Sequence, residues 1–345
     1  MKKIFLALTL MMTWGVGDIL ACTRVVYKGN DGLILTARSM DWKEDIKSNI
    51  WVFPRGMQRD GKVGKNSLHW TSKYGSVVTS AYEIASTDGM NEKGLVANLL
   101  WLAESEYAPR DENKKGITIS AWVQYLLDNY ATVAEAVADL QNEPFQVVSD
   151  MMPTGDRMAT LHLSISDAEG DNAIFEYIGG KLIIHHDPSY QVMTNSPTFD
   201  KQLALTDYWN EIGGLTMLPG TNRAADRFVR ASFYTHALPK TDDAHIAVAA
   251  IAGVIRNCSV PYGISVPDKP NISTTQWRTI ADHKNKVYYF ESVLSPNMFW
   301  IPLNELNFKK GAPVKKLSII NQEVYHGNTV QYLKTSAPFV FLGIE

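Results

Sequence analysis

Runs of β-branched and aromatic residues, bounded by Gly, Asp or Asn, dominate the chain just after residue 22. They predict strands at 23–27, 33–37, 50–53 and 77–80. Asn30-Asp31-Gly32 is a tight-turn sequence and predicts a hairpin between the first two. The spacing then becomes helical. Ile119, Trp122, Val123, Leu126 and Leu127 predict a helix within 118–129. Thr132, with Glu135 three residues on, predicts a capping box and a helix over 133–140. Strands resume at 159–166, 173–177, 181–185 and 190–194. Helices follow at 224–237 and 244–256, then strands at 287–292, 298–301 and 339–342. Strands and helices come in blocks and lack the regular alternation of a doubly wound parallel fold. The order predicts an α+β protein of antiparallel sheets with helices packed outside.

The first 21 residues stand apart from this pattern. Lys2 and Lys3 precede an apolar run from Ile4 to Trp14, and Ala21 stands directly before Cys22. The run has the length of a signal-peptide core and is too short to span a bilayer comfortably. Residues 1–21 are therefore expected to be removed during export to the periplasm or the medium, leaving one domain over 22–345. Their loss takes away two positive charges and one negative, so the formal net charge of −3 becomes −4. A nucleic-acid partner needs a basic footprint, and this balance argues against one. No other long apolar run exists, so no membrane span is expected. Of 345 residues, 45% are hydrophobic and 20% charged, enough to bury the core of a large globular domain.

Only two cysteines occur, Cys22 and Cys258. A single disulfide is one reading, and a working thiol at Cys22 is the other. A nucleophile needs a base. A cysteine at a newly exposed N-terminus carries one, its α-amine, which titrates near about 8. The thiol itself, near about 8.5, keeps little thiolate at neutral pH unless a cation lowers it. The predicted hairpin returns Arg38 close to Cys22, and Asp41, three residues on, is placed to orient the amine. Taken alone, Arg38 and Asp41 read as a surface ion pair of little worth.

Cys22-Thr23-Arg24 and Thr36-Ala37-Arg38-Ser39-Met40-Asp41-Trp42 together resemble the opening of the choloylglycine hydrolase family. That family holds bile salt hydrolases and penicillin V acylases, within the N-terminal nucleophile hydrolases. Asp88-Gly89-Met90-Asn91-Glu92-Lys93-Gly94-Leu95 resembles its central turn motif, and Met193-Thr194-Asn195-Ser196-Pro197 the segment with its oxyanion asparagine. Arg227-Phe228-Val229-Arg230-Ala231-Ser232-Phe233 resembles the helix with its catalytic arginine, and Val287-Tyr288-Tyr289-Phe290 a strand near its end. The resemblance implies a four-layer αββα sandwich, no cofactor, and commonly a homotetramer. It implies that Cys22 is nucleophile and acid/base, that Arg38 and Asp41 hold it, that Asn195 donates to the oxyanion and that Arg227 supports the site. Trp101 falls where many relatives place Asn or Tyr, and only Tyr208 to Pro219 stands where they carry a longer loop. Both features resemble the Gram-negative branch.

The substrate implied is a small-molecule secondary amide with an apolar acyl group, and Met40, Trp42, Trp101, Met90 and Leu102 are candidates to line its pocket. Trp42-Lys43-Glu44-Asp45, followed by Phe53-Pro54-Arg55-Gly56-Met57, looks most like gut enzymes that cleave conjugated bile salts. The expectation is bile salt hydrolysis, with hydrolysis of penicillin V or of acyl-homoserine lactones by an acylase as the alternative. Other chemistries lack support. His185 and His186 point to opposite faces of a strand and do not suit one metal ion. No GxSxG elbow and no metal or nucleotide motif occurs. One rival comes from Ala21-Cys22 itself, since a bacterial lipoprotein begins in the same way. Lipidation would tether the protein as a binding module and acylate the amine, but Leu20 suits that processing poorly.

Overall fold

The computed structural model of the chain describes residues 22–214, 216–265, 273–295, 297–321 and 323–344. The expected leader, 1–21, lies outside them. The described residues form two large sheets. The first runs β14 (Val192–Met193), β1 (Thr23–Lys28), β2 (Ile34–Trp42), β15 (Thr274–Asp282), β16 (Val287–Ser292), β17 (Met298–Pro302) and β19 (Gly327–Asn328). The second runs β13 (Lys181–His186), β12 (Asn172–Ile178), β11 (Leu161–Ser166), β8 (Val96–Trp101), β7 (Ala85–Asn91), β6 (Ser76–Ala81), β3 (Ile50–Phe53), β18 (Lys315–Leu317) and β20 (Lys334–Thr335). Two small pairs complete the strands, β4 (Gln58–Asp60) with β5 (His69–Thr71) and β9 (Gly116–Thr118) with β10 (Gln146–Val148). Every pairing in the large sheets is antiparallel except the edge contact of β17 with β19.

The β1–β2 hairpin fixes the site. Asp31 and Gly32 both have positive φ, 50° and 69°, and the Leu33 N–H closes the turn on the Asn30 carbonyl at 3.0 Å. This is the turn whose twist matches paired strands, which is why Asn-Asp-Gly occupies it. The register sets Arg24 opposite Arg38 and Thr23 opposite Ser39. Side chains alternate between faces. Thr36 and Arg38 point at the second sheet, where Thr36 meets Ser166 at 2.7 Å and Arg38 donates to the Thr87 and Leu99 carbonyls at 2.8 Å each. Thr23 and Tyr27 point the other way and meet Arg227 and the Pro239 carbonyl.

Helices cover both outer faces. α1 (Trp122–Asn129) and α2 (Val133–Leu140) lie on the second sheet, with Trp122, Leu126 and Leu127 packed against Ala97, Leu163 and Phe175. Thr132 caps α2 by accepting the Glu135 N–H at 3.2 Å, while Glu135 reaches back to the Ala131 N–H at 2.7 Å. That is a capping box shifted by one residue. α3 (Phe199–Ile212), α4 (Ala224–Ala237) and α5 (Ala244–Asn257) lie on the first sheet's side. The four layers are therefore helix, sheet, sheet, helix. No described helix is long and apolar enough to cross a membrane.

Some expectations need correction. Residues 339–342 form no strand, although Leu342 donates to the Ile84 carbonyl at 2.9 Å. The strand expected over 190–194 is only Val192–Met193. The stretch from Tyr208 is not all loop, because α3 runs through it to Ile212. His185 and His186 do diverge, to Glu176 at 3.3 Å and to Asp171 at 2.8 Å.

Candidate active site

Cys22 directly precedes β1 and is 3% exposed, and the groups around it come from β2, from α4 and from the segment after β14. Its backbone N donates to Asn195 Oδ1 at 2.5 Å. Its carbonyl accepts from Arg227 Nη1 at 2.6 Å. The same guanidinium donates to Thr23 Oγ1 at 2.5 Å and to Asn195 Oδ1 at 2.8 Å. Arg227, buried in α4, thus ties Cys22 and Thr23 to Asn195 beyond β14. Cys22 Sγ receives the Asp41 backbone N–H at 3.5 Å and lies 3.9 Å from Met40 Sδ.

Five groups expected to act together do converge: Cys22, Arg38, Asp41, Asn195 and Arg227. None is on the surface, so the weak surface ion pair is excluded for Arg38 and Asp41, both fully buried. The details differ from expectation. The Asp41 carboxylate takes Ser39 Oγ at 3.2 Å and Thr275 Oγ1, and Ser39 Oγ takes the Thr23 N–H at 3.2 Å. Burial pushes Asp41 up to about 6, against the pull of Arg227, Thr275 and Ser39. Burial also pushes the Cys22 thiol up, and Arg38 and Arg227 oppose this without reversing it. The cation expected to release the thiolate is therefore not enough by itself. A thiol in this setting would need a base to become a thiolate.

Arg38 joins the two sheets below Cys22. Besides the two carbonyls it faces Asp88 at 3.7 Å and lies 5.0 Å over the Trp277 ring. Asp88 accepts from Asn98 Nδ2 at 2.6 Å, from Thr279 Oγ1 at 3.2 Å and from the Tyr288 hydroxyl. The central motif therefore supplies a buried counter-charge on β7, and the turn follows it at Glu92 and Lys93.

Asn195 is held from three sides. Its Nδ2 donates to the Trp101 carbonyl at 2.7 Å, and its own carbonyl takes Gln202 Nε2 from α3. It is thus the carbonyl of Trp101 that meets Asn195. The cluster behind this segment carries no signal in the spacing of its residues. His162 Nε2 donates to the Thr194 carbonyl at 2.8 Å, and its Nδ1 lies 3.1 Å from Glu176 Oε1. Glu176 also takes the Phe199 N–H at the start of α3, at 3.1 Å, where a carboxylate suits the helix dipole. Burial opposes ionisation of Glu176, but His162, His185 and that N–H hold it down at about 2.

A pocket of about 800 Å³, counting its open mouth, begins at Cys22 and Arg38. Met40, Trp42 and Trp101 line it as expected; Met90 and Leu102 do not, being buried in the core. Trp42 and Trp101 lie 5.5 Å apart at 48°. Tyr82, not foreseen, accepts the Trp42 indole N–H at 2.9 Å from a turn in which Tyr82 and Glu83 both have positive φ, 51° and 58°. Such strain persists only where the surroundings hold it. Here Glu83 takes Asn49 at 2.7 Å, Trp51 at 3.1 Å and Lys316 at 2.6 Å. Met152 and Leu161 complete an almost wholly apolar wall.

Cys22 and Cys258 are both free thiols, so the disulfide reading fails. Cys258 is buried with Sγ 3.7 Å from the Arg227 carbonyl, and burial pushes it up to about 11. No cluster of three or more metal-ligating side chains occurs among the described residues.

Two stacked antiparallel sheets between helix layers, with a buried cysteine directly before a strand of the first, are the fold of the N-terminal nucleophile hydrolases. A family model for linear amide C–N hydrolases, choloylglycine hydrolase family, matches residues 22–316, starting at the cysteine itself. The chain belongs to that family and is a hydrolase of linear amides. It is 51% identical over 371 residues to a penicillin V acylase of Pectobacterium atrosepticum, covering 99% of this chain and 98% of the relative. It is 28% identical over 316 residues to a bile salt hydrolase/transferase of Clostridium perfringens, covering 83% and 93%. Among solved structures, a penicillin V acylase from Agrobacterium tumefaciens superposes with a TM-score of 0.88 at 57% identity, covering 94% and 100%.

Proposed function

We propose that this hydrolase is an acylase of the penicillin V type, with Cys22 as nucleophile and its freed α-amine as base. What supports the substrate reading is the tilted Trp42–Trp101 pair beside Cys22, which suits a flat aromatic acyl group better than a broad alicyclic one. The half-identity to a penicillin V acylase points the same way. The bile-salt expectation rests on more distant relatives and takes second place.

In this reading export removes residues 1–21 and leaves an amine on Cys22. The amine takes the thiol proton, and the thiolate attacks the amide carbonyl. The second N–H of Asn195 Nδ2, beyond the one given to Trp101, meets the oxyanion. The C–N bond breaks as the departing nitrogen takes the proton back from the ammonium. Water, deprotonated by the amine, then cleaves the thioester. Asp41 balances the ammonium and Arg227, and a homotetramer is carried over from the family. The test is amine release from penicillin V, glycocholate and taurocholate by protein beginning at Cys22. Release of the penicillin nucleus should be at least tenfold faster than release of glycine or taurine. The opposite order would return the assignment to bile salts.

A further inference from the structure

The pocket at Cys22 does not end between the sheets. It passes the tip of the β6–β7 hairpin at Ala81, Ile84 and Ala85 and reaches Ser120 and Leu342. Cys22 belongs to the first sheet, whereas Ile119 and Phe341, the neighbours of Ser120 and Leu342, sit in the core outside the second. An acyl group attacked by Cys22 and running into this apolar channel would meet Leu342 at its far end.

Leu342 is fixed there although it lies in no strand. Its N–H donates to the Ile84 carbonyl at 2.9 Å, and its carbonyl takes Ser120 Oγ at 2.9 Å. Two residues on, the Ile344 N–H donates to the Lys62 carbonyl at 3.0 Å. On the other side Phe341 is buried, with Arg59 5.6 Å over its ring and Phe339 edge-on at 5.3 Å. A residue pinned on both sides by main-chain and aromatic contacts cannot swing away from a ligand at low cost. Leu342 is half-buried and lines the pocket beside Ile84, Ser120 and Ile119.

We propose that Leu342 is the end stop of the acyl channel and sets the longest acyl chain the enzyme accepts. The proposal rests on the acylase reading above, in which the acyl group, and not the amine, fills this pocket. Ser120 acts as a positioning residue by holding the Leu342 main chain.

The test is kcat/KM for a series of N-acylglycines from hexanoyl to tetradecanoyl, with wild type, Leu342→Ala and Leu342→Trp. Each methylene buried in an apolar channel is worth a factor of about four, until the stop is met. Wild type should show a rise followed by a sharp fall. Leu342→Ala should move the optimum to longer chains by two or three methylenes, and Leu342→Trp should move it to shorter ones. Opposite shifts cannot come from a general loss of folding. Wild-type activity on the series with an optimum that neither variant moves would overturn the end stop and leave the acylase reading standing. A wild type inert towards every member but active on penicillin V would overturn the channel alone, and inertness towards penicillin V as well would overturn both.

Discussion

Replacing Asn195 by alanine separates holding the site from performing its chemistry. The side chain makes three bonds: Oδ1 accepts from Cys22 N at 2.5 Å and Arg227 Nη2 at 2.8 Å, and Nδ2 donates to Trp101 O at 2.7 Å. The asparagine is 2% exposed, so water does not readily replace it. Removal leaves the Cys22 N–H, one guanidinium N–H and one carbonyl short of partners, each costing about 1–3 kcal/mol. Stability should therefore fall by about 3 kcal/mol or more, which a denaturant melt reads directly. The chemical loss is separate. An oxyanion donor is worth about 10²–10³ in kcat, because the charge it meets exists only in the transition state. Steady-state kinetics on penicillin V should show kcat down by that factor with KM changed less than threefold. The reasoning is refuted if kcat holds within threefold while KM rises, for then Asn195 only positions substrate.

The buried carboxylates give further predictions. Asp41 titrates near 6 in the fold, above its ordinary value of 3.8, so its ionisation works against folding. The penalty is absent below about 4, grows between 4 and 6, and is constant above, reaching about 3 kcal/mol. Asp41→Asn should therefore gain thermal stability relative to wild type as pH rises from 4 to 6, while losing hydrolysis; a pH-independent gap would contradict this. Glu176 behaves oppositely, since it is held down at about 2 from 4.5. Its contribution of about 3 kcal/mol is present above pH 4.5 and lost as pH falls through 2. Glu176→Gln should be destabilised at pH 7 and nearly level with wild type at pH 2, and equal melting temperatures at pH 7 would dismiss the clamp on α3.

How much of this was legible in the sequence depended on whether an element's buried face was apolar. The β1–β2 hairpin was, because its turn residues and strand residues agree, and its register brought Arg38 and Asp41 to Cys22. β15 was not, though it is central to the first sheet. It reads Thr-Thr-Gln-Trp-Arg-Thr-Ile-Ala-Asp, and its polar residues are used inward, Thr275 on Asp41 and Thr279 on Asp88. α3 was missed for the same reason, since its buried face is Phe199, Gln202 and Thr206. Residues 339–342 erred in the other direction. Their apolar run looks like a strand, yet the segment packs its rings and bonds at single points without a ladder. The motif residues of the site were found by resemblance. His162, Glu176 and Tyr82 carry no spacing signal, because three distant segments bring them to the site.

The central claim is that Cys22 works through its own amine as well as its thiol. The most direct measurement compares penicillin V turnover by protein beginning at Cys22 with the same protein carrying Ala21 uncleaved ahead of it. An amide nitrogen is no base, and burial holds the Cys22 thiol above its ordinary value. The account predicts hydrolysis by the first and loss of at least a thousandfold in the second, with both equally folded by circular dichroism. Near-normal turnover with Ala21 in place would contradict it.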